Sequence, residues 1–287
     1  MTSIIKEISI EGKERIGGTM LGDMYRLDDK NVVKIFSPKA SYNLFIEQDN
    51  VNARNALAAG IPAAISYEVV RVGNRLGKIY VMNDCHNLVD LILNDKDHMD
   101  DYIRRLAEAV RKIHSIRVSP SVFRSERQHW LNNINENKIS LTPDEKDKLV
   151  AIFEDIPETD TFLHGMCYIG NVIVQNDEYL FIDLGNAAMG DPLFDLTPMY
   201  SLFRNHGKYA TPEARKGLLS KFTYEEALRI WNVFISSYLG TEDHAMIVAK
   251  EKQIRTLDLA MRLYSHLTVP GILSERNIED IKEELFE

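Results

Sequence analysis

The apolar and polar positions divide the chain into a strand-rich opening and a longer helix-rich remainder. Residues 4–10 alternate weakly and predict a first strand. Ile16 and Met24–Leu27 are strand-like pieces on either side of a glycine-bearing turn, Gly17 to Asp23. Asp28-Asp29-Lys30-Asn31 reads as a turn. It leads into Val32-Val33-Lys34-Ile35-Phe36, a strand with one lysine in an apolar run. A helix is predicted from Tyr42 to Ala59, with Leu44, Phe45, Val51, Leu57 and Ala58 as a ragged apolar face, and Gly60-Ile61-Pro62 stops it. Two further strands follow at Ile65–Arg71 and Gly77–Met82. Gly73 to Lys78 is one residue too short for a P-loop and lacks the Ser or Thr after the lysine, which excludes that motif.

From Leu88 onward the period is mainly helical. Tyr102, Leu106, Ala109, Val110 and Ile113 recur on one face, and His114 after them reads as a satisfied structural histidine. Thr142-Pro143-Asp144-Glu145 is a helix start, with an N-cap threonine, proline in the first turn and acids at the positive end. Phe222–Tyr238 and Glu242–Leu267 are the longest periodic segments, and Trp231, Phe234, Tyr238 and Tyr264 read as core. One hairpin interrupts the helices: Val172–Val174 and Tyr179–Ile182 flank the polar Gln175-Asn176-Asp177-Glu178. Antiparallel pairing sets Asn171 and Asp183 side by side at one mouth. An amide oxygen and a carboxylate are ligands that a hard cation such as Mg²⁺ takes together with phosphates. Strands first and helices after predict an α+β architecture.

The 287 residues suffice for one large domain or two lobes with real cores. At 45% hydrophobic and 27% charged, the chain is neither disordered nor fibrous. No apolar run has the length of a membrane span, and the first residues lack a secretory pattern. Two distant cysteines, Cys85 and Cys167, argue against a disulfide framework and fit a reducing cytoplasm. A net charge of -9 argues against nucleic acid as the main partner and is compatible with a cationic substrate. Lys34, within its apolar strand, is costly unless its ammonium finds partners.

His164-Gly165, Asn171, the hairpin, Ile182-Asp183-Leu184-Gly185 and Asp191-Pro192-Leu193-Phe194-Asp195-Leu196 resemble the catalytic core of the aminoglycoside phosphotransferase and choline kinase family. The resemblance runs from Gly17 to Asp195. It implies a two-lobed, protein-kinase-like α+β fold. Residues 1–82 would be a nucleotide-binding lobe, an antiparallel sheet plus one helix. Residues 83–287 would be a mainly helical catalytic and substrate lobe around the His164–Asp183 hairpin. It implies ATP or GTP with Mg²⁺ as cofactors, a small-molecule hydroxyl as phosphoryl acceptor, and neither nucleic acid nor membrane as partner. For nucleotide binding it points to Gly22, Lys34, the hinge at Met82, and Glu47 as the helix acid that pairs with Lys34. Asp49 is a rival to Glu47 because one sequence does not fix the helix register. Asn171 and Asp183 are the implied metal ligands, His164 a loop-shaping residue, and Asp191 and Asp195 bracing acids.

One position departs from the family. Its loop reads His-Gly-Asp, with that Asp as base, whereas here the third residue is Met166. A thioether accepts no proton and is a poor ligand for Mg²⁺. Three readings stay open: a slow phosphotransferase, a nucleotide-binding pseudokinase, or an inactive variant substituted at the base.

Overall fold

The computed structural model describes residues 5–19, 22–37, 43–81, 85–137, 139–205, 208, 216–268 and 275–286. The chain forms two compact units, Met1–Asp90 with Asn171–Asn186, and Leu91–Gly170 with Ala187–Glu287. This differs from the expected division into 1–82 and 83–287: the hairpin expected at the centre of the helical part belongs to the unit that holds the sheet.

The first unit is built on β1 (Lys6–Glu7), β2 (Arg15–Thr19), β3 (Gly22–Arg26), β4 (Asn31–Phe36), β5 (Ser66–Val72) and β6 (Arg75–Val81), with α1 (Asn43–Ala58) between β4 and β5. The strands lie in the order β1-β5-β6-β4-β3-β2. All pair antiparallel except β1, which runs parallel to β5. β4 is buried on both faces, which explains its nearly unbroken apolar run. Val33 and Ile35 pack with Val70 and Ile79 on one face. Val32 packs with Tyr80 and Ile173 on the other, and Phe36 packs with Ile46 and Leu76. Burial of each such side chain contributes about 1.5–3 kcal/mol, which offsets the cost of Lys34 on the same strand.

Ile173 belongs to the hairpin. Its strands are β9 (Val172–Gln175) and β10 (Glu178–Phe181). Asn176 and Asp177 turn at φ 49° and 63°. Two consecutive left-handed residues make a type I′ turn, whose twist matches that of the strands and which Asn and Asp tolerate. β9 also pairs antiparallel with β7 (Cys85–Asn87). Phe181 donates its N–H to Pro62 O (2.8 Å) and accepts from Ala64 N–H (2.9 Å). These bonds, with the Val32–Tyr80–Ile173 cluster, tie the hairpin to the sheet. β7 leads into α2 (Leu88–Asn94), where the Asn87 side-chain oxygen accepts the Val89 N–H.

In the second unit α3 (Met99–Ile113) buries Met99, Ile103, Leu106, Ala107, Val110 and Ile113. Next come α4 (Glu126–Glu136) and α5 (Pro143–Glu154), then β8 (Phe162–Leu163), which pairs antiparallel with β11 (Ala188–Met189). α5 begins with the capping box that its sequence announces: Thr142 accepts the Glu145 N–H, and Glu145 accepts the Thr142 N–H. α6 (Leu193–Met199) contains Pro198 and continues as a π-helical turn at Tyr200–Arg204. Proline has no N–H for the carbonyl of Phe194, and the Thr197 hydroxyl donates to that oxygen instead, at 2.8 Å. α7 (Tyr224–Leu239) packs on α3 and buries Ile230, Trp231 and Phe234. α8 (His244–Thr268) and α9 (Glu275–Phe286) share a core of Leu259, Leu263 and Ile281. Among the described residues, no helix is long and apolar enough to cross a membrane.

Candidate active site

In the first unit the Lys34 ammonium meets both carboxylate oxygens of Asp183. The pair is nearly sealed, with side-chain exposures of 6% and 10%. Alternation along β4 puts Lys34 on the same face as Val32, the face that also packs against the hairpin. Asp183 follows β10 at φ 63°, in the left-handed region that a non-glycine residue rarely occupies. Its flanks are pinned. Ile182 donates its N–H to Asn171 O at 3.0 Å, and the Asn52 amide of α1 donates to Leu184 O (2.8 Å) and Gly185 O (3.3 Å). Asn171 is itself buried at the start of the hairpin. Lys34, Asn171 and Asp183 are therefore gathered within one unit.

The helix acid is not where it was expected. Glu47 is exposed, and among the described residues Lys34 has no ion pair with α1. Asp49 turns inward and pairs with Lys78 of β6, which is completely buried. The buried stripe of α1 is Ile46, Asp49, Asn52, Ala53 and Ala56, at helical spacing. Val51 and Leu57, read from sequence as its apolar face, are 53% and 51% exposed. Polar groups occupy the inner stripe because the groups they face are polar: an ammonium and two backbone carbonyls. Lys78 is directly opposite Lys34 in the β4–β6 register, and both ammonium groups approach the Phe36 ring, at 5.7 Å and 5.3 Å from its centroid. Burial pushes the Lys78 ammonium below its usual value, against the opposing pull of Asp49. In sequence the segment of Lys78 invites comparison with a P-loop. Its setting, a lysine between Gly77 and Ile79-Tyr80, carries the same signal that singles out Lys34.

Gly22 lies in β3 opposite Phe36, where a Cβ would meet Ile35 O at 2.2 Å. The sheet itself thus requires glycine there. Met82 lies outside the described residues.

In the second unit the His164 loop hangs on Asp195. The fully buried carboxylate accepts the N–H of His164 (2.6 Å) and of Gly165 (2.7 Å), and His114 Nε2 lies 3.1 Å away. His114 Nδ1 in turn contacts the Tyr238 hydroxyl at 2.9 Å. Burial raises the Asp195 carboxyl, but the hydrogen bond and charge of His114 and the contacts of His164 outweigh it and hold the group below the usual range. Gly165, at φ 83°, makes the sharp bend that lets two successive N–H groups reach one carboxylate. Asp191 caps the start of α6 through the Leu193 N–H. Met166 donates its N–H to His164 Nδ1, and the residue is 44% exposed. Neighbouring Cys167 is buried, which pushes its thiol well above the ordinary value, with Asp195 adding to the shift. A thiol so raised is a poor proton acceptor near neutral pH.

Among the described residues no group of three or more His, Cys, Asp or Glu is placed to hold a metal ion. The hairpin offers one carboxylate, Asp183, and one amide oxygen, Asn171. Such a pair fits Mg²⁺, which keeps several waters and shares substrate phosphates rather than filling an all-protein cage.

A mainly antiparallel sheet with one helix, a hairpin carrying a lysine-paired aspartate, and a helical C-terminal part constitute the protein-kinase-like fold of small-molecule kinases. The chain belongs to the phosphotransferase enzyme family, whose model matches residues 14–231. A choline/ethanolamine kinase family protein from Mesorhizobium loti is similar at 16% identity and a TM-score of 0.52, over 96% of this chain and 85% of that one. The GDP and kanamycin complex of APH(2")-IIia gives 15% and 0.55, over 97% and 93%. The GDP complex of wild-type aminoglycoside 2'-phosphotransferase-IIIa gives 14% and 0.53, over 99% and 93%. At these identities the likeness is one of fold. A sequence comparison with curated proteins finds no match.

Proposed function

We propose that this protein binds ATP or GTP with Mg²⁺ and transfers the terminal phosphoryl group to a hydroxyl of a small molecule, slowly, because position 166 is methionine. The observation that carries this reading is the sealed Lys34–Asp183 pair on a hairpin that begins with Asn171. Lys34 is an ammonium on a rigid strand, suited to hold phosphate oxygens. Asp183 and Asn171 would hold the metal, whose chemistry is to neutralise phosphate charge. His164 and Asp195 shape the loop that carries position 166. Phosphoryl transfer has a loose transition state and depends mainly on positioning and charge neutralisation. The loss of a general base therefore slows it by about 10²–10⁴-fold rather than abolishing it. GDP in two structures of this fold supports nucleotide binding. The net charge of -9 is compatible with a cationic acceptor.

Met166 itself favours a second reading, a nucleotide-binding protein without transfer. Thermal unfolding with ATP or GTP, each with and without Mg²⁺, tests what the two readings share. A nucleotide at 100 times its Kd stabilises the fold by about 2.7 kcal/mol. Absence of any shift with either nucleotide, in folded protein, overturns both.

A further inference from the structure

Asp183 holds a backbone conformation that its residue type does not favour. At φ 63° it lies in the left-handed region, where a non-glycine residue stays only if its surroundings over-determine it. Contacts before, on and after it supply this restraint. Before it, Ile182 donates its N–H to Asn171 O at 3.0 Å. On it, the carboxylate meets Lys34. After it, the Asn52 amide of α1 donates to Leu184 O at 2.8 Å and to Gly185 O at 3.3 Å. Asn52 is 2% exposed, so these bonds are made out of reach of water. Its amide is also oriented. Gln48, one turn earlier on α1, donates to Asn52 Oδ1 at 2.8 Å. With that oxygen engaged, the NH₂ group is left to face two carbonyls, which can only accept.

We propose that Asn52 is a positioning residue for Asp183: by gripping the backbone that follows it, Asn52 keeps the carboxylate aimed as a metal ligand. The inference rests on the metal–nucleotide reading given above. On that reading the contacts that restrain Asp183 have different fates. The metal takes the carboxylate and phosphate oxygens take Lys34, so the Lys34–Asp183 contact ends when the ligand arrives. The Ile182 bond lies within the hairpin and fixes only the approach to Asp183. Asn52 holds backbone oxygens, so its grip does not depend on what the carboxylate binds. An apolar side chain at this place on α1 would leave two buried carbonyls without their donor and would free Asp183 to relax out of the left-handed region. Groups that orient a metal ligand without touching the metal typically set its affinity by about 10- to 100-fold.

A residue that merely supports the fold would, when removed, weaken binding with and without metal alike, or not at all. A residue that aims Asp183 acts only where the metal does. The experiment is calorimetric titration of the full chain with ATP and with GTP, once at saturating Mg²⁺ and once in EDTA. At saturating Mg²⁺, Asn52→Ala should bind at least about tenfold more weakly than wild type, or no better than it does in EDTA. In EDTA it should stay within about twofold of wild type, the scale of an ordinary surface substitution, because Lys34 is untouched. Gln48→Ala, at an exposed position, removes only the bond that orients the amide and should lose about threefold, again only with Mg²⁺. Unchanged binding at saturating Mg²⁺ in Asn52→Ala, or equal losses with and without Mg²⁺, overturns the inference. If Asn52→Ala does not fold, Gln48→Ala decides: a loss confined to Mg²⁺ supports the inference, and no loss, or an equal loss in EDTA, overturns it. Failure of the wild type to bind either nucleotide overturns the nucleotide reading, and this inference with it. Wild-type binding that ignores Mg²⁺ overturns the metal assignment and this inference. Mg²⁺-dependent binding by the wild type, with either overturning result in the variants, overturns this inference only.

Discussion

Asp195→Asn is the change for which the structure gives the fullest account. Asp195 is completely buried and its two oxygens face three nitrogens: Oδ2 meets the His164 N–H and His114 Nε2, and Oδ1 meets the Gly165 N–H. Asparagine can keep an oxygen at only one of these places. With the oxygen kept at Oδ2, the new NH₂ group points at the Gly165 N–H. Two donors then face each other in a partly buried contact, and an orphaned buried group costs about 1–3 kcal/mol. The two surviving hydrogen bonds also lose their charge assistance. The total is about 4 kcal/mol, in the range for breaking a buried ion pair from one side. Trp130 and Trp231 both lie in the second unit, so tryptophan fluorescence during urea unfolding reports on the unit that holds Asp195. The variant should unfold at clearly lower urea. The effect should also depend on pH, with a definite sign. The folded Asp195 carboxyl is depressed, so its contribution is complete above the ordinary carboxylate range and is lost as pH falls through the lower folded value. The gap between wild type and variant should therefore narrow in acid. A variant within about 0.5 kcal/mol of wild type at neutral pH, the level of an ordinary surface substitution, would refute the account. So would a gap that widens on acidification.

Other outcomes follow from the same geometry. On the proposed function, Met166→Asp places a carboxylate at the loop position where the family resemblance implies a base. Transfer to a suitable acceptor, or slow ATP hydrolysis, should rise by about 10²–10⁴-fold with little change in nucleotide affinity; steady-state turnover against a panel of amino and hydroxyl acceptors checks this, and normal binding with no gain across the panel favours the second reading. On α1, Asp49→Ala strands the buried Lys78 ammonium and should cost about 3–5 kcal/mol, whereas Glu47→Ala should stay within about 0.5 kcal/mol. Chemical unfolding of the two variants side by side tests the helix register, and equal losses would contradict it.

Much of this protein can be read from local pattern alone. The β4 run, the Thr142 capping box and the hairpin are encoded within a few residues, by periodicity, turn chemistry and capping, and the order of motifs points to the family; Asp195 as the brace of the His164 loop is implied by that resemblance alone, because the two lie far apart in sequence. The hairpin also shows the limit of that reading. Its strands and turn are local, but its place with the sheet depends on Pro62, Ala64, Val32 and Tyr80, which lie far away in sequence. The rotation of α1 was likewise beyond local pattern, since Val51 and Leu57 are apolar yet exposed, and Asp49 and Asn52 are polar yet buried. A helix normally turns its apolar residues inward because burial of apolar surface is the dominant favourable term. Here an ammonium on β6 and two carbonyls after Asp183 await the inner stripe, and a buried polar group left without a partner costs more than an exposed leucine. Which carboxylate meets which lysine is decided by that register, and only the tertiary structure supplies it.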